Sequence, residues 1–402
     1  MHLSVNYHAV TRGPDQSWHR PTAVSILREL CLSGWNIAIF GLTVSSSWGN
    51  GHATLWRGLL RALSDRGHHV TFFEKDVQYY RDARDLTELP GGGELQFYPD
   101  LDGVRAAAQQ ALDSADVAIV TSYCPEGSQV AQMLLESKAG LKVFYDLDTP
   151  VTLRSLDSGE RPEYLPPDGL AGFDLVLSYT GGRALTELQQ RLGARNVAPL
   201  YGWVDPLQHH PVPPQEHYLC DLSYLGTYAP DRQPALDRLF LETARRLPER
   251  AFLIGGAQYP ADFPWTSNLF FHRHVPPAAH PAFFSSSQWT LNITREAMAE
   301  YGFCPSGRLF EAASCGTPLL SDQWEGLDTF LTPGEQILLV DSPDDVVHAL
   351  QRSPEERNRI ARQARDRVLV EHTADARAKT LESLLEQAWH PAVPTLAIAG
   401  AR

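Results

Sequence analysis

Cysteine is scarce in this chain. Its 402 residues include five, Cys31, Cys124, Cys220, Cys304 and Cys315, widely scattered and odd in number. No two stand as Cys-x-x-Cys, so neither a disulfide framework nor a cysteine zinc site is signalled, and reduced thiols in a cytoplasmic setting are the expectation. Long apolar runs are also missing. Nothing approaches the roughly 18 residues of a membrane span, and no signal peptide is evident. Positive charge is in deficit: 34 Lys and Arg stand against 48 Asp and Glu, a formal net charge of −14. That argues against a nucleic-acid partner as the main function, although a local basic pocket stays open. His272 and His274 alternate along a strand end with no Cys or acidic partner at ligand spacing, so no metal site is expected. There is no internal repeat.

What remains is a globular composition, 43% hydrophobic, in a chain long enough for two cores. Residues 1–34 show no clear strand pattern and read as an N-terminal extension. Trp35 to Gly41 is an apolar strand, followed by a Ser/Gly-rich turn, a helix Ala53–Asp65 closed by Gly67, and a strand His69–Glu74. This is a β-α-β unit with a glycine-rich first turn. Apolar strands recur at Val117–Val120, Leu141–Tyr145, Leu175–Ser178 and Asn196–Ala198, with helical stretches between. A Pro- and His-rich stretch around Pro206–Pro214 reads as a linker. A second alternation follows, with strands at Leu222–Gly226, Ala251–Gly256, Leu269–Phe271 and Trp289–Ile293 and a helix at Pro234–Leu247. Alternation of this kind builds parallel sheets with helices on both faces, and ligands gather at the carboxyl ends of the strands. The expected architecture is α/β: a Rossmann-like domain over 35–205, a linker over 206–217, a second Rossmann-like domain over 218–390 and a tail over 391–402.

The most informative stretch is Ser306–Glu325. Ser306 or its neighbour can cap a helix running to about Ser314. Gly316 stops it, and Thr317-Pro318 leads into a short strand, Leu319-Leu320. A helix whose first turn is Gly307-Arg308 presents free backbone N–H groups beside a guanidinium, a combination suited to phosphate. Glu311, three residues on, supplies a carboxylate for ribose hydroxyls. The alternative is a capped amphipathic helix that merely packs. Gly226, in Gly226-Thr227-Tyr228-Ala229-Pro230-Asp231-Arg232, ends a strand in a glycine loop, and Arg232 at the following helix start can help cradle a diphosphate. Otherwise Asp231 caps the helix and Arg232 faces solvent. Arg295 is a weaker candidate of the same kind.

The segment Glu-x-x-x-x-Gly-x-Pro with its following apolar run resembles the donor-binding segment of two-domain GT-B glycosyltransferases, the family 4-like group in particular. Its Arg-Leu-Phe-Glu-Ala-Ala-Ser-Cys-Gly-Thr-Pro wording is closest to the CgeB-like, spore-maturation-type branch. The resemblance implies a GT-B fold, a nucleotide-sugar donor in the second domain with Glu311 on its ribose, an unidentified glycan, lipid-linked or protein acceptor in the first, and retention at the anomeric carbon. It implies no cofactor and no bound metal. One departure is Phe303, where many family 4 enzymes carry a further glutamate. The pattern Gly-x-Gly-His, helix, Arg-Gly-His-His-Val resembles the opening of the acceptor domain, which places Gly49 and Gly51 in an acceptor-side loop.

His52 follows that loop as either an acceptor-side proton acceptor or an exposed helix-start histidine. Asp146-Leu147-Asp148 could be the metal-binding Asp-x-Asp of the other large glycosyltransferase architecture, GT-A, a strand-end cap, or a cleft carboxylate. The two-domain layout and the Glu311 segment argue against the metal role; of the other two the cleft role, contacting an acceptor hydroxyl, is preferred for Asp148, with Thr149-Pro150 turning the chain away. Rival functions are a sugar-nucleotide epimerase on the same architecture and a non-catalytic sugar-nucleotide-binding protein.

Overall fold

A computed structural model describes residues 34–389. The expected extension, up to residue 33, and the expected tail 391–402 lie outside the described residues. Within them run thirteen strands. β1 Asn36–Gly41, β2 His69–Lys75, β3 Glu94–Tyr98, β4 Val117–Thr121, β5 Leu141–Asp146, β6 Leu175–Ser178 and β7 Val197–Pro199 form one sheet in the order β3-β2-β1-β4-β5-β6-β7. β8 Cys220–Leu225, β9 Phe252–Gly256, β10 Leu269–Arg273, β11 Ser287–Asn292, β12 Leu319–Ser321 and β13 Leu338–Leu339 form the other, in the order β10-β9-β8-β11-β12-β13. Every pairing in both sheets is parallel.

The central strands are apolar on both faces because helices cover both. In β1 the period of two sends Ile37 and Ile39 into one core and Ala38 and Phe40 into the other. In β9 Leu253 goes one way, and Phe252 and Ile254 the other. Each fully buried Phe contributes about 1.5–3 kcal/mol over an exposed one. β3 has no counterpart among the expected strands. As an edge strand it alternates exposed and half-buried positions up to buried Tyr98, so it carries no apolar run to read. The helix expected at Pro234–Leu247 is interrupted by a π-helical turn over Asp237–Leu241.

Two crossings join the domains side by side. Val204 and Thr373 form a parallel bridge; Val204 N–H donates to the His372 carbonyl at 2.9 Å and Ala374 N–H to the Val204 carbonyl at 2.7 Å. Beyond that bridge the last helix, Ala374–Trp389, does not stay with the second domain. Ala374, Ala378, Leu381 and Leu385 join the core of the first sheet, against the helix Gly51–Asp65. Glu382 clamps it there, accepting from Arg66 Nε at 2.6 Å and lying 2.8 Å from His68 Nε2. The second domain's own core therefore ends before residue 374, short of the expected boundary at 390. Cys124, Cys220, Cys304 and Cys315 are all buried and unpaired.

In each sheet the strand order reverses once, between β1 and β4 and between β8 and β11. A crevice opens beyond the carboxyl ends at such a point. In the second domain the crevice wall is tight. A Cβ on Gly256 would lie 2.0 Å from the carbonyl oxygen of Gly226, which also accepts from the Tyr259 hydroxyl at 3.0 Å. Gly256→Ala should therefore displace the Gly226 loop and cost about 1–3 kcal/mol. Urea unfolding should show a lower midpoint with an unchanged slope; an unchanged midpoint would contradict this packing.

Candidate functional site

The two reversal points contribute to one cleft of about 740 Å³, within the range of small-molecule sites. From the first domain it is lined by Gly49, Gly51, His52, Tyr123, Asp148 and Tyr179. From the second it is lined by Gly226, Tyr228, Arg232, Arg295, Ser306, Gly307, Arg308 and Glu311. All eleven residues expected from the sequence thus face one space.

The first-domain wall is built on a buried carboxylate. Glu74, at the end of β2, is fully buried. It accepts from Thr43 Oγ1 at 2.8 Å, Val44 N–H at 2.8 Å and Ser45 N–H at 2.9 Å, gathering the turn after β1 around itself. Arg57 Nε donates to the Val44 carbonyl at 2.8 Å from the following helix. At the far end of the turn Asn50 caps the helix Gly51–Asp65, its side chain accepting from His52 N–H at 3.1 Å. The cap sets the start of the helix at Gly51 and holds His52 in its first turn. His52 Nε2 lies 3.9 Å from Asp148 Oδ1, with the two side chains 24% and 22% exposed.

Asp146 and Asp148 do different work. Asp146 is fully buried, its Oδ1 accepts from Asp148 N–H at 3.2 Å, and its Oδ2 has no partner. Asp146 is thus turned into the core, whereas the Asp148 carboxylate lines the cleft. Burial pushes the Asp146 carboxyl up to about 6. Thr149-Pro150 does not turn the chain away. Pro150 occupies the first turn of a helix, Thr149–Asp157, where its missing N–H costs nothing. Asp148 takes the N-cap position without using its side chain there, which leaves the carboxylate for the cleft. Tyr123, in a left-handed conformation (φ 62°), stands beside it. The sequence signalled nothing at Tyr123; only its place just after β4, at the reversal point, could have.

The second-domain wall is cationic. Ser306 takes the N-cap position of the helix Gly307–Ser314 but makes no side-chain cap, so the first amides are left for another acceptor. Gly307 faces the other domain, a Cβ there meeting Leu55 at 3.5 Å and Tyr179 at 3.9 Å. Arg308 is half-buried in the wall beside Gly226, where a Cβ would lie 3.4 Å from Nη2. Burial lowers its pKa, and Arg232 nearby lowers it further. Neither guanidinium has a carboxylate partner among the described residues. Arg232 Nη2 donates to the Thr227 carbonyl at 2.6 Å, while its buried Nε has no acceptor. Arg295 differs: it is exposed and paired with Asp231 at 3.1 Å. Asp231 is thus an ion-pair partner, and Arg295 is the least available of the three cations.

Glu311 is 9% exposed, one turn along from Arg308. Two residues not singled out from the sequence stand against it. His280 Nδ1 lies 3.7 Å from Glu311 Oε2 and His209 Nε2 lies 3.9 Å from Glu311 Oε1. His209 belongs to the stretch expected to be a linker, yet it is only 1% exposed. Phe303, at the departure from the family 4 pattern, has φ 43° and packs against Gly182 and Gly326.

This fold, two parallel-sheet Rossmann-like domains facing across a cleft, is that of GT-B glycosyltransferases. Residues 232–383 match the family model described as Glycosyl transferase-like. No curated protein matches the chain in sequence. Among solved structures it is similar to the sucrose-phosphate synthase of Thermosynechococcus elongatus, at TM-score 0.62 and 14% identity, covering 87% of this chain and 98% of that one. It is similar to Anabaena Alr3699/HepE in complex with UDP-glucose, at TM-score 0.61 and 10% identity, covering 87% and 99%. It is also similar to an alpha-glucosyltransferase in complex with UDP and a 13-mer DNA, at TM-score 0.63 and 13% identity, covering 88% and 100%.

The Asp146 carboxyl supports a test of the first-domain wall. Its folded pKa of about 6 lies above the unfolded value of about 3.9. The protonated form's stability is therefore fully present below about pH 4 and lost as pH rises through about 6. Asp146→Asn removes this titration. The stability difference, variant minus wild type, should grow between about pH 4 and 6 by an amount on the order of 3 kcal/mol, then level off. A difference constant across that range, read by denaturant titration, would contradict the burial of this carboxylate.

Proposed function

We propose that the protein is a glycosyltransferase that takes a sugar from a nucleotide-sugar donor. The observation that carries this reading is the Arg308–Arg232 pair: two guanidiniums in a cleft wall with no carboxylate partner, beside uncapped amides of the helix Gly307–Ser314. Two adjacent cations in a half-buried wall are costly unless an anion joins them. A diphosphate supplies charge and acceptors at that place. Glu311, one turn further, suits the ribose hydroxyls. The glycosyl transferase-like match over 232–383 and the UDP-glucose named for the structural neighbours support a donor of this class.

The chemistry follows from the two walls. As the bond from the anomeric carbon to the diphosphate oxygen breaks, negative charge grows on the leaving phosphate. Arg308, Arg232 and the helix-start amides are already placed to stabilise it. These cations occupy the role a divalent ion would otherwise fill, which supports metal-independent transfer. Across the cleft His52 and Asp148 face the same space and suit an acceptor hydroxyl: the imidazole receives its proton and the carboxylate stabilises the resulting imidazolium. The net charge of −14 supports an acceptor other than nucleic acid.

Retention at the anomeric carbon is the course supported by the family 4-like donor segment. Inversion is the second reading, favoured by the His52–Asp148 pair, since a proton acceptor at the incoming hydroxyl suits a single displacement. The anomer first formed, read by NMR, separates the two.

The donor reading is tested by calorimetric titration of two variants. Glu311→Gln should weaken nucleoside and nucleoside diphosphate alike, by about 1.5–3 kcal/mol, roughly ten-fold to over a hundred-fold. Arg308→Ala should weaken the diphosphate far more than the nucleoside. If both variants fold and bind both ligands like wild type, the donor site is not here. Turnover should also survive excess EDTA; loss that Mn²⁺ restores would overturn the metal-independent course.

A further inference from the structure

The cluster behind Glu311 has more lone pairs than protons. His280 Nε2 lies 3.1 Å from the Val275 carbonyl oxygen. A carbonyl only accepts, so Nε2 carries the proton and Nδ1 presents a bare lone pair. That lone pair points at Glu311 Oε2, 3.7 Å away, and at His209 Nε2, 3.4 Å away. His209 Nε2 in turn lies 3.9 Å from Glu311 Oε1. One hydrogen on His209 Nε2 can serve only one of these approaches. His209 Nδ1 has no partner in either tautomer. A buried arrangement in which acceptors face one another is costly until a cation stands between them.

We propose that His209, His280 and Glu311 form a binding site for a zinc-class divalent ion, through His209 Nε2, His280 Nδ1 and a carboxylate oxygen. The spacing fits. Ligand atoms about 2.0–2.1 Å from a tetrahedral zinc stand about 3.4 Å apart. The imidazole nitrogens stand 3.4 Å apart, and Glu311 offers Oε2 at 3.7 Å from His280 and Oε1 at 3.9 Å from His209; with a single carboxylate oxygen serving both, the three ligand atoms lie within 4.8 Å of one another, so a small turn of the carboxylate closes the site. The Val275 carbonyl holds His280 in the tautomer that offers Nδ1, the usual second contact of a ligating imidazole. Three protein ligands leave a fourth position open, and His280 and Glu311 both line the cleft. No spacing in the sequence announces this set: the two histidines are 71 positions apart, and Ser314, in the helix of Glu311, is 105 positions from His209.

The site has a consequence that rests on the donor reading above. An ion bound to Glu311 withdraws that carboxylate from the ribose. Zinc is then an inhibitor of donor binding, and a chelator relieves it.

The test begins with protein stripped by EDTA and exchanged into chelator-free buffer. Titration with Zn²⁺ alone should show one ion per chain, and Co²⁺ should give the intense visible bands of a tetrahedral N/O site. His209→Asn and His280→Asn should each weaken zinc at least about ten-fold. No zinc binding, or equal affinity in wild type and both variants, overturns the site. Should a variant unfold, the wild-type cobalt spectrum decides: absent or weak octahedral bands overturn it. Uridine, guanosine, adenosine and thymidine are then titrated with and without saturating zinc, because diphosphates chelate zinc themselves. Zinc should weaken the nucleoside that binds by about ten-fold or more, and unchanged affinity overturns the competition. If no nucleoside binds the stripped protein, the donor reading and the competition fail together, while the zinc and cobalt titrations still decide the metal site.

Discussion

The uncompensated positive charge in the second-domain wall is the constraint on which the site depends. Arg308 is half-buried beside Gly226 and Arg232, and its neighbours offer it no carboxylate within ion-pair distance. Several other arginines among the described residues are treated differently. Arg61 holds Asp205 with two hydrogen bonds, Arg66 holds Glu382, and Arg295 holds Asp231. In a chain with 48 acidic residues, leaving two adjacent guanidiniums without one is a local choice that opposes stability. Such conflicts between local energetics and fold are expected where a ligand completes the structure. The glycines make the same point. A Cβ on Gly256 would strike the Gly226 carbonyl, so that wall position admits no side chain, which keeps backbone at the place where a phosphate would come near.

The second requirement is that the two sheets hold their strand ends toward one another. The two crossings at Val204 and Thr373 run side by side, and the last helix returns to the first sheet. The bidentate Arg61–Asp205 pair and the Trp203 Nε1 bond to the Leu55 carbonyl at 2.8 Å fasten the first crossing to the helix that carries His52. Any change in the angle between domains is therefore felt at the histidine as well as at the hinge. Beside the cleft the segment before Gly307 is also tied to the first domain, with Gly181 N–H donating to the Phe303 carbonyl at 3.0 Å and Ala297, Met298 and Cys304 packed in the first sheet's core.

The sheets were legible because their central strands are apolar on both faces, as in Ile37–Phe40 and Phe252–Ile254. The edge strand Glu94–Tyr98 was not, since one-sided burial leaves no run to recognise. The Ser306–Glu325 stretch was legible because capping, helix and re-entry into a strand all lie within twenty residues. The residues behind it were not. His209 sits among prolines and reads as linker, and nothing local reveals that the chain there folds beneath Glu311. Glu74 holds the first part of the turn before His52, from Thr43 to Ser45, but a carboxylate ending a strand has no signature of its own. Asp146 and Asp148 look equivalent in sequence. The pleat of β5 and the start of the next helix send one into the core and the other into the cleft.

The central claim is that the cleft is completed by a nucleoside diphosphate sugar. Its most direct test is the melting temperature of the EDTA-treated protein against UDP, GDP, ADP and TDP sugars. A ligand at 100 times its Kd adds about 2.7 kcal/mol to the folded state, which in a protein of this size raises the melting temperature by a few degrees. Such a rise is expected for one base, with the free diphosphate retaining most of it. A melting temperature unmoved by every donor and every diphosphate at millimolar concentration would contradict it.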